Sequence, residues 1–103
     1  MRPIHLARLD KTRPVLVLTR GAVRPQLNRV TVAPITTTVR GLSTEVAVGP
    51  ANGLDHDCVV SCDNITTIPA TALGRQIGYL RMAQEPDLTF AIQAAFDLEP
   101  TGK

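Results

Sequence analysis

Two short polar clusters hold the residue types that could do chemistry in this chain. Thr36-Thr37-Thr38-Val39-Arg40-Gly41 follows an aliphatic run, and Asn64-Ile65-Thr66-Thr67 forms a second patch of amide and hydroxyl groups. An arginine guanidinium is a planar fork matched to a phosphate, and threonine hydroxyls add neutral donors. Together they supply what a phosphodiester site needs when catalysis works by positioning and charge stabilisation. A further arginine, Arg13, stands with Pro14 at the mouth of the strand-forming run in KTRPVLVLTR, residues 11–20. Consecutive threonines serve equally well on a solvated strand face, and Arg13 could pair with Asp10 at a strand end. Residue types alone leave both uses open.

Other chemistries find little support. There is no GxSxG, P-loop, HExxH or dinucleotide fingerprint. His5 sits in a strand-like segment and His56 in the turn Leu54-Asp55-His56-Asp57, neither with a diagnostic spacing. Cys58 and Cys62 are four apart, with no CxxC and no paired histidines. On one strand they would lie on the same face, too far apart to bridge, as small buried apolar residues with no metal between them. With one Tyr, no Trp and two Phe, the aromatic platform of a base-stacking RNA binder is missing.

Charge is unevenly distributed. Net charge is +2, yet residues 1–44 hold eight bases against the single acid Asp10, and residues 45–103 hold eight acids against Arg75, Arg81 and Lys103. That asymmetry fits a basic face for a polyanion, or halves that interleave and neutralise one another. No apolar run approaches the ~20 residues of a membrane span, and the start, MRPIHLARLD, has no apolar signal core. The expectation is a soluble, cytoplasmic protein with one domain over 1–99 and a tail at 100–103.

The elements that must position these residues are mostly short strands. Ile4 to Leu9 alternates, and Val15 to Thr19 is a continuous run suited to a strand covered on both faces. A loop with Pro25 follows over 21–28. Strands are expected at Arg29–Thr37 and Glu45–Val48, then from Cys58 through Asp63 and Asn64 to Ile68, and at Gln76–Leu80. Residues 70–73 could make one helical turn. Near the end, Leu88, Ile92, Ala95 and Phe96 form an amphipathic stripe, with Pro86 and Asp87 suited to a first helical turn. The pattern predicts a mainly β chain with a C-terminal helix, built as a small, strongly curved antiparallel sheet or barrel.

Four blocks in register, TRPVLVLTR at 12–20, VTVAPITTT at 30–38, VVSCDNITTIP at 59–69 and GRQIGYL at 74–80, resemble the MazF/PemK/Kid toxins of toxin–antitoxin modules. The resemblance covers nearly the whole chain and is closest to actinobacterial members. It implies an SH3-like, PemK-type barrel, a homodimer, and a sequence-specific, metal-independent endoribonuclease needing no cofactor. It also implies single-stranded RNA and an acidic antitoxin as partners. The family's catalytic arginine and threonine fall on Arg13 and Thr36, and the flanking Thr38, Arg40, Asp63, Asn64 and Thr66 are the candidate RNA readers. The chain departs from the family in its first loop, where only Asp10-Lys11-Thr12 bridge Leu9 and Arg13. Lys11 is expected to supply a phosphate contact that the longer loop would otherwise make. Rival readings are a non-catalytic RNA or antitoxin binder, a gyrase-directed toxin of the similar CcdB fold, and a plain β-barrel interaction domain.

Overall fold

In the computed structural model, which describes residues 1–21 and 27–99, an antiparallel sheet curls into a half-barrel and one helix closes a side of it. The strands are β1 (Arg2–Arg8), β2 (Thr12–Val17), β3 (Arg29–Thr36), β4 (Glu45–Val48), β5 (Cys58–Ser61), β6 (Thr66–Pro69) and β7 (Leu73–Leu80). The helix is α1 (Glu85–Ala95). Strands run in the order β4-β5-β3-β2-β1-β7, with β6 also paired to β3.

The run Val15–Val17 is buried without interruption because β2 has a core on each face. Leu16 joins Ile4, Ala33, Ile35, Val46, Val60 and Leu80 on one side. Val15 and Val17 join Ala7, Val30, Val32 and Ile68 on the other. Successive side chains point to opposite faces, so a strand covered twice must be apolar at every step. Each fully buried Val, Leu or Ile contributes about 1.5–3 kcal/mol relative to exposure.

β3 bears the site on its free end. One edge pairs with β2, Val15 opposite Pro34 and Val17 opposite Val32. Its other edge pairs first with β6 and then with β5. Here the structure corrects the strand expected to run unbroken from Cys58 to Ile68. Val60 lies opposite Ile35 and Thr66 opposite Val32, six steps along one strand against three along the other. The surplus is the 3-10 turn Cys62–Asn64, extruded between the two halves. Cys62 anchors it as a side chain only 1% exposed, so the two cysteines bury in the same core, Cys58 from β5 and Cys62 from the turn, instead of lying on one continuous strand. Both thiols are free and buried. Burial pushes Cys62 from the usual 9.0 up to about 11, helped by Asp63. Cys58 is raised too, by burial and then by Asp57 and Asp55.

Two further expectations shift. β7 begins at Leu73, three residues before the expected Gln76. In α1 the buried stripe is Leu88 and Ala91, flanked by the half-buried Ile92 and Ala95. Phe96 stands just past the helix end and is 56% exposed, so it does not complete the stripe. The loop expected around Pro25 and the tail at 100–103 fall on residues 22–26 and 100–103, outside the described ones. Among the described residues no helix is long and apolar enough to cross a membrane.

Asn52 ties α1 to the sheet. It is 3% exposed, accepts from the Gly49 N–H at 3.1 Å, and donates to Tyr79 O at 2.8 Å and Gln84 Oε1 at 2.7 Å. The next residue, Gly53, has φ +93 and rests on Gly78 of β7, where a side chain on either glycine would strike the opposing backbone.

Candidate active site

The β1–β2 connection is a three-residue hairpin, since Arg8 pairs with Thr12 across it. Its tip turns back on itself. The Lys11 N–H donates to Asp10 Oδ1 at 3.0 Å, and Leu9 N–H donates to Lys11 O at 3.1 Å. Asp10 then reaches Arg13, whose Nη2 lies 3.2 Å from Oδ1 and 3.3 Å from Oδ2. Arg13 is half-buried, and its Nε has no partner although it is removed from solvent. Leaving a guanidinium N–H unpaired is costly, and this donor stands out for having no partner among the described residues.

Thr36 ends β3 at the same end of the sheet. Arg13 and Thr36 each lie two residues beyond the Val15–Pro34 pair on adjacent antiparallel strands. The Thr36 Oγ1 accepts from the Thr38 N–H at 3.1 Å, which leaves its hydroxyl hydrogen free to donate.

These two residues border an open basin of about 700 Å³. Thr38 and Arg40 line it from the loop after β3, Asp63 and Asn64 from the extruded turn, and Thr66 from β6. Seven of the eight residues singled out from the sequence thus meet in one cavity. Lys11 is the exception: it is exposed at the hairpin tip and does not line the basin.

Sequence reasoning missed three polar members of the wall. Glu45 opens β4 and closes its carboxylate on the preceding loop, accepting from the N–H groups of Arg40, Gly41 and Leu42 at 3.0–3.3 Å. Gly41, with φ +73, lets the backbone curl around that carboxylate. Ser61 accepts from Asn64 Nδ2 at 2.8 Å. Asp10 also lines the basin, where the sequence offered it only as the partner of Arg13. Its signal was the i,i+3 spacing to Arg13; Glu45 and Ser61 gave none. Among the described residues no group of three His, Cys, Asp or Glu side chains is gathered so as to hold a metal ion.

A curled half-barrel that brings an arginine and a strand-end threonine into one polar basin marks the chain as a small β protein with an open site lined by hydrogen-bonding and charged groups. The family described as the PemK-like, MazF-like toxin of type II toxin–antitoxin systems matches residues 4–96, and the chain belongs to it. It is 68% identical over 99 residues to an endoribonuclease MazF3 of Mycobacterium tuberculosis, covering 96% of each chain. The fold superposes on the Mycobacterium tuberculosis toxin MazF-mt6 with a TM-score of 0.94 at 67% identity, covering 95% of this chain and 99% of that one. A mycobacterial endoribonuclease solved with its cognate antitoxin matches at a TM-score of 0.83 and 28% identity, over 94% and 93% of the chains.

Proposed function

We infer that this chain is the endoribonuclease toxin of a toxin–antitoxin pair and that the basin is where it cuts single-stranded RNA. The observation that carries the assignment of the site is the convergence of Arg13, with its unpaired buried Nε, and Thr36 in one open basin. The ribose 2′-OH gives its proton to water as its oxygen attacks the adjacent phosphorus, the P–O5′ bond breaks with the departing oxygen taking a proton from water, and the products are a 2′,3′-cyclic phosphate and a 5′-OH. The phosphorane formed on the way carries extra negative charge on its non-bridging oxygens. Arg13 Nε–H donates to one of them, and the Thr36 hydroxyl donates to the same group and orients it. With a pKa above ~12, Arg13 acts through charge and hydrogen bonding, not by giving up its proton. Donors fixed before the reaction begins need no reorganisation, the source of their effect on rate.

Thr38, Arg40, Asp63, Asn64 and Thr66 contact the nucleotides around the scissile bond, so that only some sequences are cut. The toxin works as a homodimer in the cytoplasm, needs no metal, and is held inactive by an acidic antitoxin laid over the basic groups of the site. Cutting translated or ribosomal RNA would stop translation.

The test is a long defined RNA incubated with the purified chain in EDTA, with the cut ends mapped and Arg13→Ala and Thr36→Ala run alongside. Discrete cuts bearing cyclic-phosphate ends, lost in both variants, are expected. Intact RNA after prolonged incubation with wild type would overturn the assignment.

A further inference from the structure

Three carboxylates border a basin that binds a polyanion, and each opposes that binding unless it has another task. Two are engaged within the chain. Asp10 holds Arg13 and the Lys11 N–H, and Glu45 holds the loop N–H groups of Arg40, Gly41 and Leu42. Asp63 differs. Its Oδ2 accepts a 2.7 Å hydrogen bond from Thr44 Oγ1, while its Oδ1 has no partner among the described residues.

The support behind Asp63 is unusually firm for a turn residue. The Cys62 N–H donates to Thr44 O at 3.0 Å, so Thr44 clasps the turn once through its backbone and once through its hydroxyl. Cys62 itself is buried in the core. A carboxylate held from behind, with one oxygen left over, is a pre-set acceptor. The neighbouring Asn64 spends one of its two amide hydrogens on Ser61 Oγ at 2.8 Å, so beside Asp63 the turn keeps one amide donor and the Asn64 carbonyl, while Asp63 Oδ1 can only accept.

The geometry points to Asp63 as the residue that selects a base with an exocyclic amino group, its Oδ1 accepting from cytosine N4, adenine N6 or guanine N2 and disfavouring uracil at that position. This rests on reading the basin as an RNA-cleavage site. Carboxylates pair with amino edges of bases for the same reason that acidic side chains accept from cytosine N4 in duplexes. At those same edge positions uracil presents the carbonyl oxygens O4 and O2, its one donor, N3–H, lying between them and reachable only if the base shifts from the register that the other bases adopt. A carbonyl against Asp63 Oδ1 sets two acceptors face to face and leaves both unpaired, which is where discrimination comes from.

The test uses the full chain and a pool of short single-stranded RNAs of randomised sequence, with the cut products sequenced for wild type, Asp63→Asn, Asp63→Ala and Thr44→Val. Wild type is expected to show one position near the cut from which uracil is depleted about tenfold, the size of one charge-assisted hydrogen bond. In Asp63→Asn the amide oxygen can still accept from Thr44 while Nδ2 donates, so that position should turn towards uracil or guanine with other positions unchanged. Asp63→Ala should make it permissive, and Thr44→Val should weaken the preference while cutting continues. The proposal is overturned if wild type accepts uracil at every position, or if the Asp63 variants cut with the wild-type base profile. Failure of wild type to cut any RNA in the pool would instead strike the reading of the basin itself.

Discussion

Asp10 grips Arg13 from three residues upstream, with Nη2 within 3.3 Å of both carboxylate oxygens. The ion pair and a role on phosphate are often set against one another as explanations for a strand-end arginine. In this chain the ion pair leaves room for the proposed role, and the two fit one arrangement. The carboxylate holds one edge of the guanidinium, and the Nε left over is the buried donor without a partner.

Removing the grip should therefore impair catalysis without unfolding the chain. Asp10→Ala frees Arg13 to swing and is expected to lower kcat about tenfold, since a mispositioned donor loses much of its worth in the transition state. Asp10→Asn, which keeps one acceptor, should fall between it and wild type. Single-turnover cleavage of one RNA, with thermal melting as the control for folding, checks both. Equal rates for Asp10→Ala and wild type would contradict the positioning role.

Glu45 holds three successive backbone N–H groups of the loop that carries Thr38 and Arg40 into the basin. Glu45→Ala should loosen that rim, raising KM about tenfold while kcat on saturating RNA stays within a few-fold. Glu45→Gln should recover part of the difference because its amide oxygen still accepts. A steady-state split of kcat from KM reads this directly.

Asn52 is a matter of stability. Substitution by Ala takes this buried partner from the Gly49 N–H and the Tyr79 carbonyl, while Gln84 Oε1 keeps only the Arg81 N–H. Orphaning buried polar groups costs about 1–3 kcal/mol each, and partial rescue by water brings the expected total to ~2–3 kcal/mol. For a chain of this size that lowers Tm by roughly 10–20 °C. Calorimetry on Asn52→Ala settles the magnitude, and an unchanged Tm would contradict the account.

Alkaline pH offers a further check. The Cys62 thiol is raised from 9.0 to about 11 in the fold, so the folded chain holds this proton more tightly than the unfolded one. Its contribution is fully present below pH 9.0 and is lost as pH rises towards 11. Cys62→Ala should show a shallower fall in stability over that window than wild type, whatever its absolute stability. Urea unfolding of both proteins across the window measures the difference in slope.

Much of this was legible because periodicity and burial speak the same language. Val15–Val17 reads as a strand covered on both faces, and it is one. Arg13 and Thr36 stand out through the blocks that carry them. The turn Cys62–Asn64 was invisible because Cys, Asp and Asn inside a β-rich stretch say nothing about register, which is set by pairing with β3. Phe96 misled for a related reason: at helical spacing it matches the stripe, but α1 ends one residue earlier at Ala95. Glu45 left no mark on the sequence, because its work is done on a backbone loop whose shape appears only in three dimensions. Lys11 stands at the exposed hairpin tip outside the basin lining, a position that the sequence could not give.

The central claim, that Arg13 stabilises a phosphorane formed by the neighbouring 2′-OH, is tested most directly on a short RNA spanning one mapped cut and on its twin with a single 2′-deoxy sugar at the attacking position. Wild type should cut the first, leave the second intact while still being inhibited by it, and lose about 10²–10³ in single-turnover rate in Arg13→Ala. Cutting of the deoxy twin at a comparable rate, or an Arg13→Ala rate within about threefold of wild type, where a lost site donor should cost far more, would contradict it.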